Sequence, residues 1–192
     1  MKNNPAPQLI CDTLMELLRT RDYADISMCD IAEHAFIGRR TCYRYFSSKD
    51  EIVQYAVNGL MDSFAAGIES IMQDGAEAGI SEVGLCYFRL MEDNIDLLKT
   101  LKRAKLMHFI ADDFERLIIG VAMKTKHRGI TVTEEQFEML KRTDMYYEFI
   151  FKVAGFWRVT VQWIDENDRR SAEEMAELMT RIMPEFESVE VG

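Results

Sequence analysis

The chain has 192 residues, 48% of them apolar and only three of them proline, a composition that supplies a full core and excludes a disordered chain. The formal charge is −10, yet residues 1–50 hold seven bases and seven acids, so the whole acidic surplus lies beyond residue 50. Such a body repels nucleic acid everywhere except at a locally basic face.

No apolar run approaches the roughly 18 residues of a membrane span. Met1 to Pro7 holds no apolar secretion segment. Cys11, Cys29, Cys42 and Cys86 show no C-x-x-C spacing and fall in apolar helical patterns, so buried, reduced thiols in a cytoplasmic protein are expected.

In chain order, Leu9, Ile10, Leu14, Leu17 and Leu18 recur at helical spacing and predict a first helix from about residue 6 to 21. After a connection over 22–26, Ser27 with Asp30 forms a capping-box pair that opens a second helix, with Ile31, Ala32 and Ala35 facing inward. Ile37 closes a turn, and residues 39–45 make a third helix. Ser48 with Glu51 repeats the cap and opens a fourth helix to about residue 73, broken by Gly75 and Gly79.

Residues 82–126 read as two or three helices interrupted near 93–96 and 102–105, and 127–132 as a loop. Thr133 with Gln136 predicts the start of one long helix to about Glu166. Ser171 with Glu174 caps a last helix to about Met183, stopped by Pro184. The sum is an all-α chain of eight or nine helices, with a three-helix N-terminal part (1–50) and a larger helical part (51–192) joined by the helix over 49–73.

Function concentrates in one stretch. Arg39, Arg40, Arg44 and Lys49 lie on the third helix and the turn after it, with no acid among them until Asp50. A helix–turn–helix places its second helix in the major groove, N-terminal residues toward base edges. Arg39, Arg40 and Thr41 hold those positions here. An arginine fork binds guanine O6 and N7 for roughly 1–3 kcal/mol of discrimination. Tyr43 and Arg44 follow one turn on. Tyr45 and Lys49 are expected at phosphates, and Ser27 beside another phosphate at the start of the second helix. Cys42 and Phe46, four apart, face inward.

This stretch resembles the DNA-binding segment of the TetR/AcrR family of bacterial transcription regulators, whose pattern runs I-A-x-x-A-G-V-S-x-x-T-x-Y-x-Y-F-x-x-K-x-x-L. Ile31, Ala32, Ala35, Thr41, Tyr43, Tyr45, Phe46 and Lys49 match it in place, with Ile52 as the last apolar residue. Two positions depart: Phe36 stands where the pattern has glycine, and Gly38 where it has serine. A bulky residue at positive φ costs roughly 1–2 kcal/mol, so a variant turn is expected.

The resemblance implies a ligand chamber and a dimer interface in the larger part. Adaptable apolar residues suited to the chamber are Met61, Phe64, Met91, Met107, Phe109, Met123 and Tyr147, with His108 as a hydrogen-bonding partner. For the interface the last two helices offer Phe156, Trp157, Thr160 and Trp163, faced by a stripe of Met175, Leu178, Met179 and Ile182.

The expected function is a ligand-responsive regulator, a repressor binding a palindromic double-stranded DNA operator as a homodimer and released by a small-molecule effector. A helical sensor or protein-interaction module that has lost operator binding is the alternative. The three histidines share no ligand spacing, so neither metal nor cofactor is expected. The chain has no nucleophile elbow, phosphate-cradling glycine loop or His-Glu-x-x-His, so an enzyme is not expected either.

Overall fold

In the computed structural model the described residues are 5–72, 79–111, 113–114, 135, 138–139 and 141–182, and among them every regular element is helical. These are α1 (Ala6–Leu17), a 3-10 turn (Tyr23–Asp25), α2 (Met28–His34), α3 (Arg39–Tyr45), α4 (Lys49–Met72), α5 (Ile80–Asp93), α6 (Ile95–Arg103), α7 (Asp144–Asp165) and α8 (Ala172–Ile182). They divide into two compact units: Met1–Asp62 with Asp96–Ile110, and Ser63–Ile95 with Ala111–Gly192.

In the first unit α1 starts with Pro7 in its first turn, where a missing N–H is harmless. It ends at Leu17, short of the expected residue 21, because the amides of Arg19 and Thr20 bond back only three residues, to Glu16 and Leu17. Ile10, Leu14 and Leu18, Ile26 and Ile31, and Ile52, Val53 and Val57 are buried, together with Leu98, Leu101 and Ile110. Each such side chain contributes about 1.5–3 kcal/mol by leaving water. The Arg103 guanidinium donates to the Leu18 carbonyl and ties α6 to the end of α1.

α6 closes with Lys105 at φ 62, where the Lys105 and Leu106 amides bond the Lys102 and Leu101 carbonyls, the paired bonds of a Schellman ending.

The second unit is built around Tyr87 of α5. Its ring meets Phe64, Phe88, Phe114 and Phe156 with centroids 4.7–5.8 Å apart. Phe88 continues the cluster to Trp163 at 5.4 Å. Tyr87 is fully enclosed, and its hydroxyl donates to Thr160 Oγ1 at 3.0 Å, which in turn donates to the Phe156 carbonyl at 3.1 Å. Burial drives the Tyr87 phenol far above its ordinary pKa, so it stays a neutral donor. α5 and α8 pack against each other at Gly84, where an added Cβ would rest in ordinary contact with Ala176 at 3.8 Å. Arg89 on α5 grips Glu173 on α8 at 2.9 Å.

Two expectations are corrected here. The helix expected from Thr133 is not continuous. α7 starts at Asp144, where the Thr143 hydroxyl accepts from the Tyr146 amide, while Lys141–Thr143 form turn and bend. Thr133 and Gln136 lie outside the described residues. The cysteines are all free, but only Cys11 and Cys42 are buried; Cys29 and Cys86 are half-buried. Burial, then Asp12, pushes the Cys11 thiol up to about 12, so it is inert. The Ser171–Glu174 cap of α8 is present with both bonds, at 2.8 and 3.2 Å.

The Tyr87–Thr160 pair yields an ordered prediction. Thr160→Val leaves the enclosed Tyr87 hydroxyl without a partner and costs about 1–3 kcal/mol. Tyr87→Phe leaves Thr160 bonded to its own helix and costs about 1 kcal/mol. Urea unfolding of the two variants should rank them in that order; equal losses would show that the hydroxyl finds another partner.

Candidate nucleic-acid interface

The turn between α2 and α3 sets the site. Ala35 is the last residue near helical geometry, at φ −76 and ψ −3, and Phe36 then takes φ 53. The Phe36 amide bonds the Glu33 carbonyl at 3.1 Å and the Ile37 amide the Ala32 carbonyl at 3.0 Å. These are again the two bonds of a Schellman ending, with Phe36 in the left-handed position that normally belongs to glycine.

The variant turn expected from Phe36 is therefore not found: the backbone keeps the glycine path, and the side chain bears strain of about 1–2 kcal/mol. Gly38, at φ −66 and ψ 140, precedes α3 with no side chain to cap it.

α3 is held from within. Cys42 is fully buried, Phe46 nearly so, and the Phe46 ring meets Tyr55 of α4 edge-on at 5.6 Å. The outer face carries Arg39, Arg40, Tyr43 and Arg44, all exposed, with Thr41 and Tyr45 half-buried at its margins. Arg39 and Arg40 make no hydrogen bond or ion pair among the described residues. Arg44 lies over the Tyr45 ring at 4.9 Å and donates to its hydroxyl at 3.1 Å. Two cations in the first turn oppose the helix dipole, each worth about 0.3–1 kcal/mol near a terminus. No acid in that turn offsets them. An uncapped start, misplaced cations and a strained entry thus coincide on one short helix, and local rules break together in this way at functional sites.

Two residues expected at phosphates are placed otherwise. The Lys49 ammonium donates to the Ile26 carbonyl at 2.9 Å and to the Tyr23 carbonyl, and lies 4.1 Å from the Tyr23 ring centre. It ties α4 to the connection before α2. Tyr23 also donates to Asp50 on α4.

Ser27 is taken up by the α2 cap. Its hydroxyl accepts from the Asp30 amide at 3.1 Å, and its own amide donates to the Asp30 carboxylate at 2.8 Å. Arg21 stands 3.3 Å from that carboxylate. The Ser27 hydroxyl and amide, and then Arg21, hold the Asp30 carboxyl down at about 2. An ionised carboxylate at the start of α2 disfavours a phosphate there. The Ser48 cap is shared with its neighbour: Ser48 accepts from the Glu51 amide at 3.3 Å, but the Glu51 carboxylate accepts from the Ser47 amide at 2.7 Å.

The residues expected to line a ligand chamber are divided between the units. Met61, Met107, His108 and Phe109 belong to the first, with His108 exposed; Phe64, Met91 and Tyr147 belong to the second. Phe64 and Met91 are packed in the core, whereas Tyr147 is 67% exposed. Met123 lies outside the described residues.

Of the residues expected at a dimer interface, Phe156, Thr160, Trp163, Met175 and Met179 are buried within their own chain, Trp163 donating to the Arg170 carbonyl at 2.8 Å. They form the interior of the second unit. Trp157 and Leu178 are half-buried and Ile182 is exposed. Sequence reasoning passed over Phe151, 81% exposed on α7 one turn beyond Tyr147, although their four-residue spacing was visible. A groove of about 460 Å³ runs between α7 and α8, bordered by Arg158, Gln162, Trp163, Arg170 and Leu178. Among the described residues no group of His, Cys, Asp and Glu could hold a metal, and no helix is long and apolar enough to cross a membrane.

Residues 10–56 match the family of bacterial regulatory proteins, tetR family. MftR of Mycobacterium tuberculosis, described as a mycofactocin biosynthesis transcriptional regulator, is 28% identical over 136 residues. That alignment covers 67% of this chain and 63% of MftR, less than two thirds of its length. Among solved structures, the fatty acid degradation regulator FadR from Bacillus halodurans superposes with a TM-score of 0.64 at 15% identity, over 95% of this chain and 96% of that one. A TetR transcriptional regulator from Streptococcus agalactiae does so at 0.59 and 15% identity, over 92% of each chain. At these identities the structural likeness speaks for the fold.

Two outcomes follow from the site. The folded Asp30 pKa lies below the unfolded one, so the carboxylate's contribution is complete above about pH 4 and is lost as pH falls toward 2. Wild-type urea midpoints should fall across that window more steeply than those of Asp30→Asn; parallel curves would remove the cap from the account. Lys49→Met strips two carbonyls of their charged donor and should cost about 2 kcal/mol of stability. The salt slope of duplex binding should stay unchanged; a slope reduced by about one would return Lys49 to a phosphate.

Proposed function

We propose that this chain is a member of the tetR family of bacterial regulatory proteins and a homodimeric, ligand-responsive transcription regulator, a repressor that reads a palindromic operator and is released by a small-molecule effector. The observation that carries it is α3: a short helix fixed from inside by Cys42 and Phe46 and presenting Arg39 and Arg40 without internal partners. Side chains left unpaired at the N-terminal end of such a helix suit guanine O6 and N7, and Thr41 beside them suits a thymine methyl or a phosphate. Arg44 and Tyr45 at the far end suit backbone contacts.

The homodimer reading draws on α7 and α8. Among their described residues Tyr147, Phe151 and Ile182 stay exposed, apolar side chains that a second copy would cover. A palindromic operator asks the two copies of α3 to enter successive major grooves, about 34–36 Å apart. An effector that prefers one spacing of the two α3 helices over another shifts operator affinity by its differential binding free energy. The acidic remainder of the chain repels DNA presented to any other face.

The test is selection of bound sequences from a random duplex pool, followed by measurement on the winner. Arg40→Ala combined with Tyr43→Ala should abolish specific binding, a loss of at least about a hundredfold for two base-reading contacts. Sedimentation should show the same dimer as wild type. Unchanged affinity in the double variant would sink the assignment.

A further inference from the structure

We propose that Phe36 is itself a DNA-contacting residue, an apolar probe at the turn that packs against the non-polar surface of the operator, at a thymine methyl or a deoxyribose. The inference rests on the reading of α3 as the DNA-facing helix.

Three observations on this residue point the same way. Phe36 is 96% exposed, more than any other large apolar side chain described, so it packs against nothing in its own chain. It stands at φ 53 with both Schellman bonds intact, so the backbone gains nothing from a phenyl group that glycine would not supply without strain. It lies three residues before Arg39, on the same turn that delivers the unpartnered cations of α3.

A side chain that stabilises neither the turn nor the core, and exposes an aromatic ring to water, has its use outside the chain. The charge beside it selects the partner. An apolar protein surface would have to desolvate Arg39 and Arg40 to reach Phe36, whereas a duplex satisfies those guanidinium groups while also offering thymine methyls and sugar edges.

The contact predicts opposite effects on folding and binding. Phe36→Gly removes the strained side chain and should raise Tm by about 2–4 °C, yet it should weaken binding to the selected operator about tenfold. Phe36→Asn, which tolerates the left-handed region, should weaken binding similarly and excludes backbone freedom as the cause. In both, the dependence of log affinity on log salt should keep its wild-type slope, because no charge has been removed. Arg44→Ala, at a backbone contact, should reduce that slope by about one.

Replacing operator thymines by deoxyuridine separates the two apolar sources. A loss seen in wild type but absent in Phe36→Gly assigns a thymine methyl. No loss in either protein, with the tenfold deficit of Phe36→Gly intact, assigns a sugar. Phe36→Gly binding within about twofold of wild type would overturn the inference and leave the α3 reading standing. A wild-type protein with no salt-dependent affinity for any duplex would overturn both.

Discussion

A seven-residue helix cannot hold itself together in water; isolated helices shorter than about 12–15 residues are marginal even with ideal sequences. α3 has that length, no side-chain cap and two cations set against its own dipole. Everything asked of it depends on being clamped from outside. The Schellman turn at Phe36 delivers the chain at one angle, Cys42 and Phe46 anchor the inner face, and Lys49 ties the start of α4 to the connection before α2. Rigidity here is tertiary, and it frees the outer residues from any part in stability.

That division explains how the charges are used. Lys49, Arg21 and Arg103 are spent inside the first unit on carbonyls and a carboxylate. Arg39 and Arg40 are not. All five are counted alike in a net charge, but a cation committed to backbone carbonyls cannot also neutralise a phosphate without giving up those bonds. The free cations are therefore fewer and more localised than the basic stretch suggests. In a chain with ten excess acids, a narrow basic face restricts the orientations in which DNA can be approached.

In the second unit the same apolar composition meets two different demands. Tyr87, Phe88, Phe156 and Trp163 interlock by ring contacts, and one buried hydroxyl chain fixes how α5 and α7 meet. The stripe on α8 that looked suited to a second copy is largely consumed here: Met175 and Met179 are inside. Among the described residues of α7 and α8, Tyr147, Phe151 and Ile182 stay exposed. Apolar periodicity marks a helix that must be covered; it does not say whether the cover comes from the same chain.

The all-helical class, the bounds of α3, the break near 93–96 and the caps at Ser27 and Ser171 could be read from the residues alone. Each depends on signals within four positions along the chain, namely helical spacing, hydroxyl and carboxylate three apart, and glycine or proline punctuation. The start of α7 was missed because Thr143 has no acidic partner at the third position to announce it, whereas Thr133 has Gln136. The positive φ at Phe36 ran against the variant turn expected there, and its exposure was not legible in the residues either.

Tertiary structure alone decided which cations are free, which aromatics are core and which carboxylates are held by partners. Those outcomes depend on residues brought together from far along the chain, such as Lys49 with Tyr23, Arg103 with Leu18 and Tyr87 with Thr160. Local sequence specifies a helix and its ends. Whether a side chain on that helix meets protein or solvent is set by what the rest of the chain packs against it.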